Sequence, residues 1–167
     1  MKYLQKIILI GTALLAISGC AAIDGPKAPE SEKSVEKIIN LDGKSKDDIY
    51  LSANGWFVDN FNSAESVIQF QDKEAGKIMG KYTLEVQEST YVFRIKSTLS
   101  IDIKDNKARV KIYDPMVAVV GDVLNGTYPR AASYRSEITI PVMAKAKLRW
   151  SELLSDLEDN LGKASDW

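Results

Sequence analysis

Few side chains in this sequence have types and spacing suited to chemistry. Cys20 is the single thiol, and there is no histidine among the 167 residues. Without imidazole, a Ser-His-Asp triad, a histidine general base and a histidine-ligated metal are excluded. The reactive groups left are carboxylates, lysines, tyrosines and serines. Asp72 and Glu74 flank Lys73 as a pair of acids two residues apart. The run Asp72-Lys73-Glu74-Ala75-Gly76 reads as a hairpin turn, with Gly76 free to take a positive φ. Asp47 and Asp48 suit the positive end of a helix dipole. No catalytic residue, metal site or cofactor is assigned. Tyr128, Arg130, Tyr134 and Arg135 bring together two residue types enriched at binding hot spots. They are the candidate partner-binding residues.

The context of Cys20 assigns its role. Lys2 and Lys6 precede an apolar stretch from Ile7 to Ile17, and the small residues Ser18 and Gly19 follow. A basic start, a short apolar run and a small-residue cleavage site make a secretory signal. The run is about half of the ~20 residues that a membrane-spanning helix needs. A cysteine directly after the small residue resembles the lipobox of bacterial lipoproteins. That resemblance implies lipidation of the Cys20 thiol, cleavage before it and acylation of the new amino group. One acyl chain binds a bilayer reversibly and two signals anchor stably, so the three implied here would hold the protein permanently. Ala21 and Ala22 stand where an aspartate would retain such a lipoprotein in the inner membrane. The expectation is a cell-envelope protein on the periplasmic face of the outer membrane.

Residues 1–19 are thus the expected signal peptide. Residues 20–33 form the lipidated N-terminus and a flexible tether, carrying Gly25, Pro26, Pro29 and mixed charge. Residues 34–163 are a single domain. The precursor has 22 cationic and 23 anionic side chains. Cleavage removes Lys2 and Lys6 and no acid, leaving 20 against 23, a net charge of −3. No basic footprint for nucleic acid is present. The partners expected are the membrane, through the anchor, and an envelope protein or polymer.

The elements that position these residues follow from periodicity. Ser34 to Leu41 reads as a strand and Asp42-Gly43 as a turn. Ser45 is a helix N-cap, followed by an apolar stripe of Ile49, Ala53, Trp56, Phe57 and Phe61 that ends near Asn60–Asn62. Four segments from 66 to 112 alternate with period 2 and are joined by short turns, the pattern of an antiparallel meander with one buried face. Asp114-Pro115 is expected to break the meander. Residues 115–133 then read as a long loop around the apolar run Val117 to Val120, with room for one further strand over Tyr134 to Ile140. Pro141 opens a second helix whose stripe is Val142, Ala146, Trp150, Leu153, Leu154, Leu157 and Leu161, with Gly162 as its terminator. The order is β-α-β-β-β-β, a loop, then α. This is an α+β two-layer architecture with two amphipathic helices packed on one face of the sheet. Trp56 and Trp150 should anchor the helices. Arg94, Lys96, Lys104, Arg109 and Lys111 fall on the outer face among Glu85 and Asp102, as an ordinary solvated surface.

A second resemblance rests on Lys46-Asp47-Asp48-Ile49-Tyr50, Trp56-Phe57, Asp59-Asn60-Phe61 and the run from Ser63 to Lys81. Across roughly residues 34–112 the chain resembles a bacterial domain-of-unknown-function family with a TATA-binding-protein-like fold. The resemblance implies a small, secreted, often lipidated domain with no transferable catalytic residue. The fold name concerns topology, and DNA binding does not follow from it. The functional expectation is a non-enzymatic binding or structural module. The alternative is a lipid-anchored periplasmic hydrolase working through carboxylates. Replacement Cys20→Ala should block processing and release the protein from membranes; fractionation and precursor size check this, and normal processing with tight membrane retention would contradict it.

Overall fold

The computed structural model describes residues 21–61, 67–128 and 133–163. Cys20 and Arg130 lie outside the described residues. Strand β1 (Val35–Asn40) is followed by helix α1 (Lys46–Asn60), strands β2 (Ile68–Asp72), β3 (Lys77–Glu88), β4 (Tyr91–Lys104) and β5 (Lys107–Asp122), and helix α2 (Ile140–Gly162). The five strands form one sheet in the order β1-β5-β4-β3-β2, with every neighbouring pair antiparallel. Both helices pack on the same face, so the fold is the expected two-layer α+β sandwich.

Local chemistry explains where the elements start and stop. The Ser45 hydroxyl accepts the Asp48 backbone N–H at 3.2 Å, which satisfies one of the free donors of the first turn of α1. Gly76 takes φ 65° in the β2–β3 turn, where the Asp72 carboxylate accepts the Ala75 N–H at 2.9 Å. The inner face of the sheet buries Ile78, Leu84, Phe93, Ile95, Leu99, Ile101, Val110 and Ile112. Against it α1 buries Ile49, Ala53, Trp56 and Phe57, and α2 buries Val142, Ala146, Trp150, Leu154, Leu157 and Leu161. Trp56 sits edge-on to Phe57 and Phe61, with ring centroids 5.4 and 5.6 Å away. Its indole N–H donates to Asp156 at 2.6 Å, tying α1 to α2.

Four expectations are corrected. The first concerns Asp114-Pro115, which does not end the meander. Two residues, Asp114 and Pro115, lie opposite the single Ser97 of β4, since Tyr113 pairs with Thr98 and Met116 with Lys96. This is a β-bulge, with Asp114 at φ 51°. A proline is tolerated there because a bulge makes no demand for its missing N–H. The extra residue shifts the alternation, so Ile112 and Val117, five apart, are both buried. Val117 to Val120 are therefore strand, not loop, and β5 runs on to Asp122.

The second correction concerns Tyr134 to Ile140, which forms no continuous strand. It makes isolated bridges, Arg135 to Val117 and Thr139 to Lys27. The third concerns the tether. Its second half is docked: the Ala28 N–H donates to the Ile138 carbonyl at 2.7 Å, and the Ile140 N–H to the Pro26 carbonyl at 2.9 Å. Ala28 is buried, and Glu30–Glu32 form a 3-10 turn. The backbone of Ile138 and Ile140 supplies the pairing that holds it. The fourth concerns Gly162, which lies inside α2 rather than terminating it. The Lys44 ammonium closes that end, donating to the Leu161 carbonyl at 2.5 Å and also to that of Lys163.

Trp56 and Trp150 are both fully buried, as expected of anchors. Truncation of either to alanine should cost about 3–5 kcal/mol. Trp56→Phe should cost more than Trp150→Phe, by on the order of 1 kcal/mol, because only Trp56 loses a hydrogen bond to a carboxylate. Denaturant melts of the four variants check both statements.

Candidate functional site

The segment that holds the candidate partner residues begins with a hairpin tip beyond β5. Asp122 and Thr127 exchange backbone hydrogen bonds of 2.9 and 3.2 Å. The Asp122 carboxylate accepts the Leu124 N–H at 3.1 Å and the Asn125 side-chain amide at 2.7 Å. The Asn125 amide in particular holds the Asp122 carboxyl below its ordinary value. The Val123 N–H donates to the Thr90 carbonyl at 2.7 Å, which ties the tip to the β3–β4 turn. Tyr128 is 69% exposed and its ring lies over Gly121. A Cβ on Gly121 would meet that ring at 2.9 Å, so any larger residue there would push the tyrosine aside.

The candidate residues do not converge. The Arg135 backbone both donates to and accepts from Val117, at 2.9 and 2.8 Å, along the edge of β5 that β1 leaves free. Paired residues share a face and neighbours alternate, so Arg135 and Tyr134 point to opposite sides. Arg135 turns to the helix side, where its guanidinium meets the Ile23 carbonyl at 3.5 Å. Tyr134 turns to the outer face, with the Lys96 ammonium 4.2 Å from its ring centroid. Tyr134 also neighbours Arg94, whose guanidinium is raised above its ordinary value chiefly by its hydrogen bonds to Glu85. Of the four candidates, Tyr128 lies over Gly121 at the base of the tip, Tyr134 belongs to the outer face and Arg135 is structural. Arg130 falls outside the described residues.

The outer face matches the charges that the strands bring into register. Arg94 lies directly opposite Glu85 and bonds it at 2.6 Å. Asp102 lies opposite both Lys77 and Arg109, at 3.4 and 2.9 Å. Such cross-strand pairs stabilise a sheet locally. The centre of this face is drier than the alternation implies. Thr98 and Ser100 on β4 are buried, with the Lys81 ammonium donating to the Thr98 hydroxyl at 2.7 Å. The turn acids are likewise engaged: Asp72 accepts Ala75, and Asp47 pairs with Lys73 at 3.1 Å. Among the described residues no three metal-ligating side chains converge.

Two features escape sequence reasoning. One is an open groove of about 520 Å³ between the docked N-terminal segment and α2, lined by Ala28, Pro29, Glu32, Ile140, Met143 and Lys147. It exists only because that segment docks. The other is the apolar tip, where Val123 is 46% and Leu124 76% exposed beside Tyr128. An apolar pair just before Asn125-Gly126 is a signal that could have found it.

Residues 36–117 match the family described as a domain of unknown function (DUF4468) with TBP-like fold. This chain carries a DUF4468 domain. Two solved structures share its architecture. A TBP-like protein from Parabacteroides distasonis superposes with a TM-score of 0.63 at 17% identity, covering 83% of this chain and 99% of its own. A DUF4468 family protein from Bacteroides ovatus gives 0.58 at 13% identity, covering 88% and 96%. At such identities the likeness concerns the fold. No curated protein matches the chain.

The charge pairs of the DUF4468 domain yield a pH prediction. Burial alone would raise the Asp102 carboxyl, but the hydrogen bond from Arg109 and the charge of Lys77 outweigh it and hold the group below its ordinary 3.8. A carboxyl lowered in the folded state stabilises the fold above its unfolded value, and that contribution is lost as the pH falls through the folded one. Asp102→Asn should therefore lower the melting temperature near neutral pH. The gap from the parent should close as the pH is taken below about 4. Thermal melts across pH check this; a gap independent of pH would contradict it.

Proposed function

We propose that this chain is a membrane-anchored envelope lipoprotein whose DUF4468 domain serves as a non-enzymatic binding or structural module. The observation that carries this reading is Cys20, set behind a basic start, a short apolar run and the small residues Ser18 and Gly19. The lipid would hold the domain on the periplasmic face of the outer membrane, with Ala21 and Ala22 favouring that destination. Permanent attachment suits a protein that works by position and contact.

The side-chain chemistry supports a module over a hydrolase. A carboxylate enzyme needs two acids facing a common cleft with unlike environments. Here Asp102 and Glu85 are neutralised across the sheet, and Asp72 and Asp122 accept the hydrogen bonds of their own turns. The partner is expected on the surface rather than in a substrate pocket. Separation of inner and outer membranes by density should place the native protein in the outer fraction. Recovery in the inner membrane would overturn the destination while leaving the anchor intact.

A further inference from the structure

The two ends of the sandwich differ in what they expose. At one end the connections are charged: Asp42-Gly43-Lys44 between β1 and α1, and Asp105-Asn106 between β4 and β5. At the other end lies the 123–127 tip, which exposes Val123 and Leu124, with the exposed Tyr128 at its base, its ring over Gly121. The described chain also begins toward this second end. Ile23 receives Arg135, and residues 26–28 pair with residues 138–140 just before α2 starts. Arg135 in turn pairs with Val117, in the half of β5 that leads to the tip. The start of α2 belongs to the same end, because Lys145 reaches the Gln87 carbonyl and the Glu88 carboxylate where β3 finishes. Cys20 directly precedes Ala21, so a lipid on Cys20 would draw the bilayer to the end that carries the apolar tip.

We propose that Val123, Leu124 and Tyr128 form a second contact with the membrane, seated in the bilayer interface and fixing how the domain stands on it. The inference rests on the anchor reading above. Exposed leucine and valine gain by entering the acyl boundary, and tyrosine prefers the interface, where its ring is buried and its hydroxyl remains wet. The contact needs little affinity of its own, because the lipid holds the tip at high effective concentration beside the surface. The tip is braced for the task by Asp122 below it and by Thr90 at its side. The consequence is one orientation. The charged end with Asp105 and Asn106 faces away from the membrane, and the outer sheet face with Tyr134 and Lys96 stands across it, open to an envelope partner.

Lipidation uses the native thiol, so one introduced cysteine can carry a nitroxide. The full lipidated protein bearing Leu124→Cys or Leu51→Cys would be placed in vesicles of phosphatidylethanolamine and phosphatidylglycerol. Leu51, 63% exposed on α1 against 76% for Leu124, controls for the label's own affinity for lipid. The label at 124 should favour oxygen over a water-soluble nickel chelate as relaxant by several-fold relative to the label at 51. With the label moved to position 123, Leu124→Asp should return it to the aqueous pattern at unchanged melting temperature. Equal chelate access at 124 and 51 overturns the proposal while leaving the anchor reading intact. Protection at 124 that appears only in native membranes, and not in pure lipid, overturns it in favour of a protein partner. Failure of the parent protein to float with vesicles overturns the anchor reading and this inference together.

Discussion

The bulge at Asp114 and Pro115 governs the architecture beyond the middle of β5, because a β-strand has a period of two and one extra residue reverses its faces. Without the bulge, the alternation that buries Ala108, Val110 and Ile112 would turn Val117 and Val119 outward. With it, Val117 is buried opposite Ile95, and Val119 packs against the core opposite Phe93. The strand then extends far beyond its pairing with β1, which ends at Ile112. That leaves a length of unpaired edge. Arg135 covers part of it, and its guanidinium links the same edge to Ile23. A second irregularity, with Val120 left over between the Phe93–Val119 and Val92–Gly121 pairs, comes before the tip beyond Asp122.

The face opposite the helices shows why residue type alone is a weak guide to function. Arg94, Lys96, Arg109 and Lys111 have the composition of a polyanion-binding strip. Register places Glu85 beside Arg94, and Asp102 between Lys77 and Arg109. Arg94 and Arg109 are paired with acids across the strands, while Lys96 stacks on Tyr134 and Lys111 on Tyr113.

Much of the fold was legible because its causes are local. Ser45 caps α1 through atoms three residues away, and Asp72 closes its turn over the same distance. The alternation from Ile78 to Ile112 needs no more than a sheet with one buried side. The stripe from Val142 to Leu161 defines α2 by its period. The reading failed where a distant partner decided the outcome. Pro115 signals a break unless β4 can host a bulge opposite Ser97. Pro26 and Pro29 signal a tether unless Ile138 and Ile140 offer backbone partners. Gly162 signals a terminator unless Lys44, from another connection, supplies the cap.

The candidate site divides in the same way. Tyr128, Arg130, Tyr134 and Arg135 were grouped because they are close in sequence, and a strand-like backbone separates neighbours onto opposite faces. The amino-acid sequence by itself determined the α+β class, the two helices and their tryptophan anchors, the meander up to Ile112, and the thiol context that argues for an envelope address. Those follow from periodicity and from short-range chemistry. Tertiary structure alone decided the length of β5, the docking of residues 26–33, the pairing of the outer-face charges and the exposure of Val123 and Leu124. Each of these depends on which backbone edges and side chains lie adjacent across the sheet, and adjacency between distant residues is not written in local pattern.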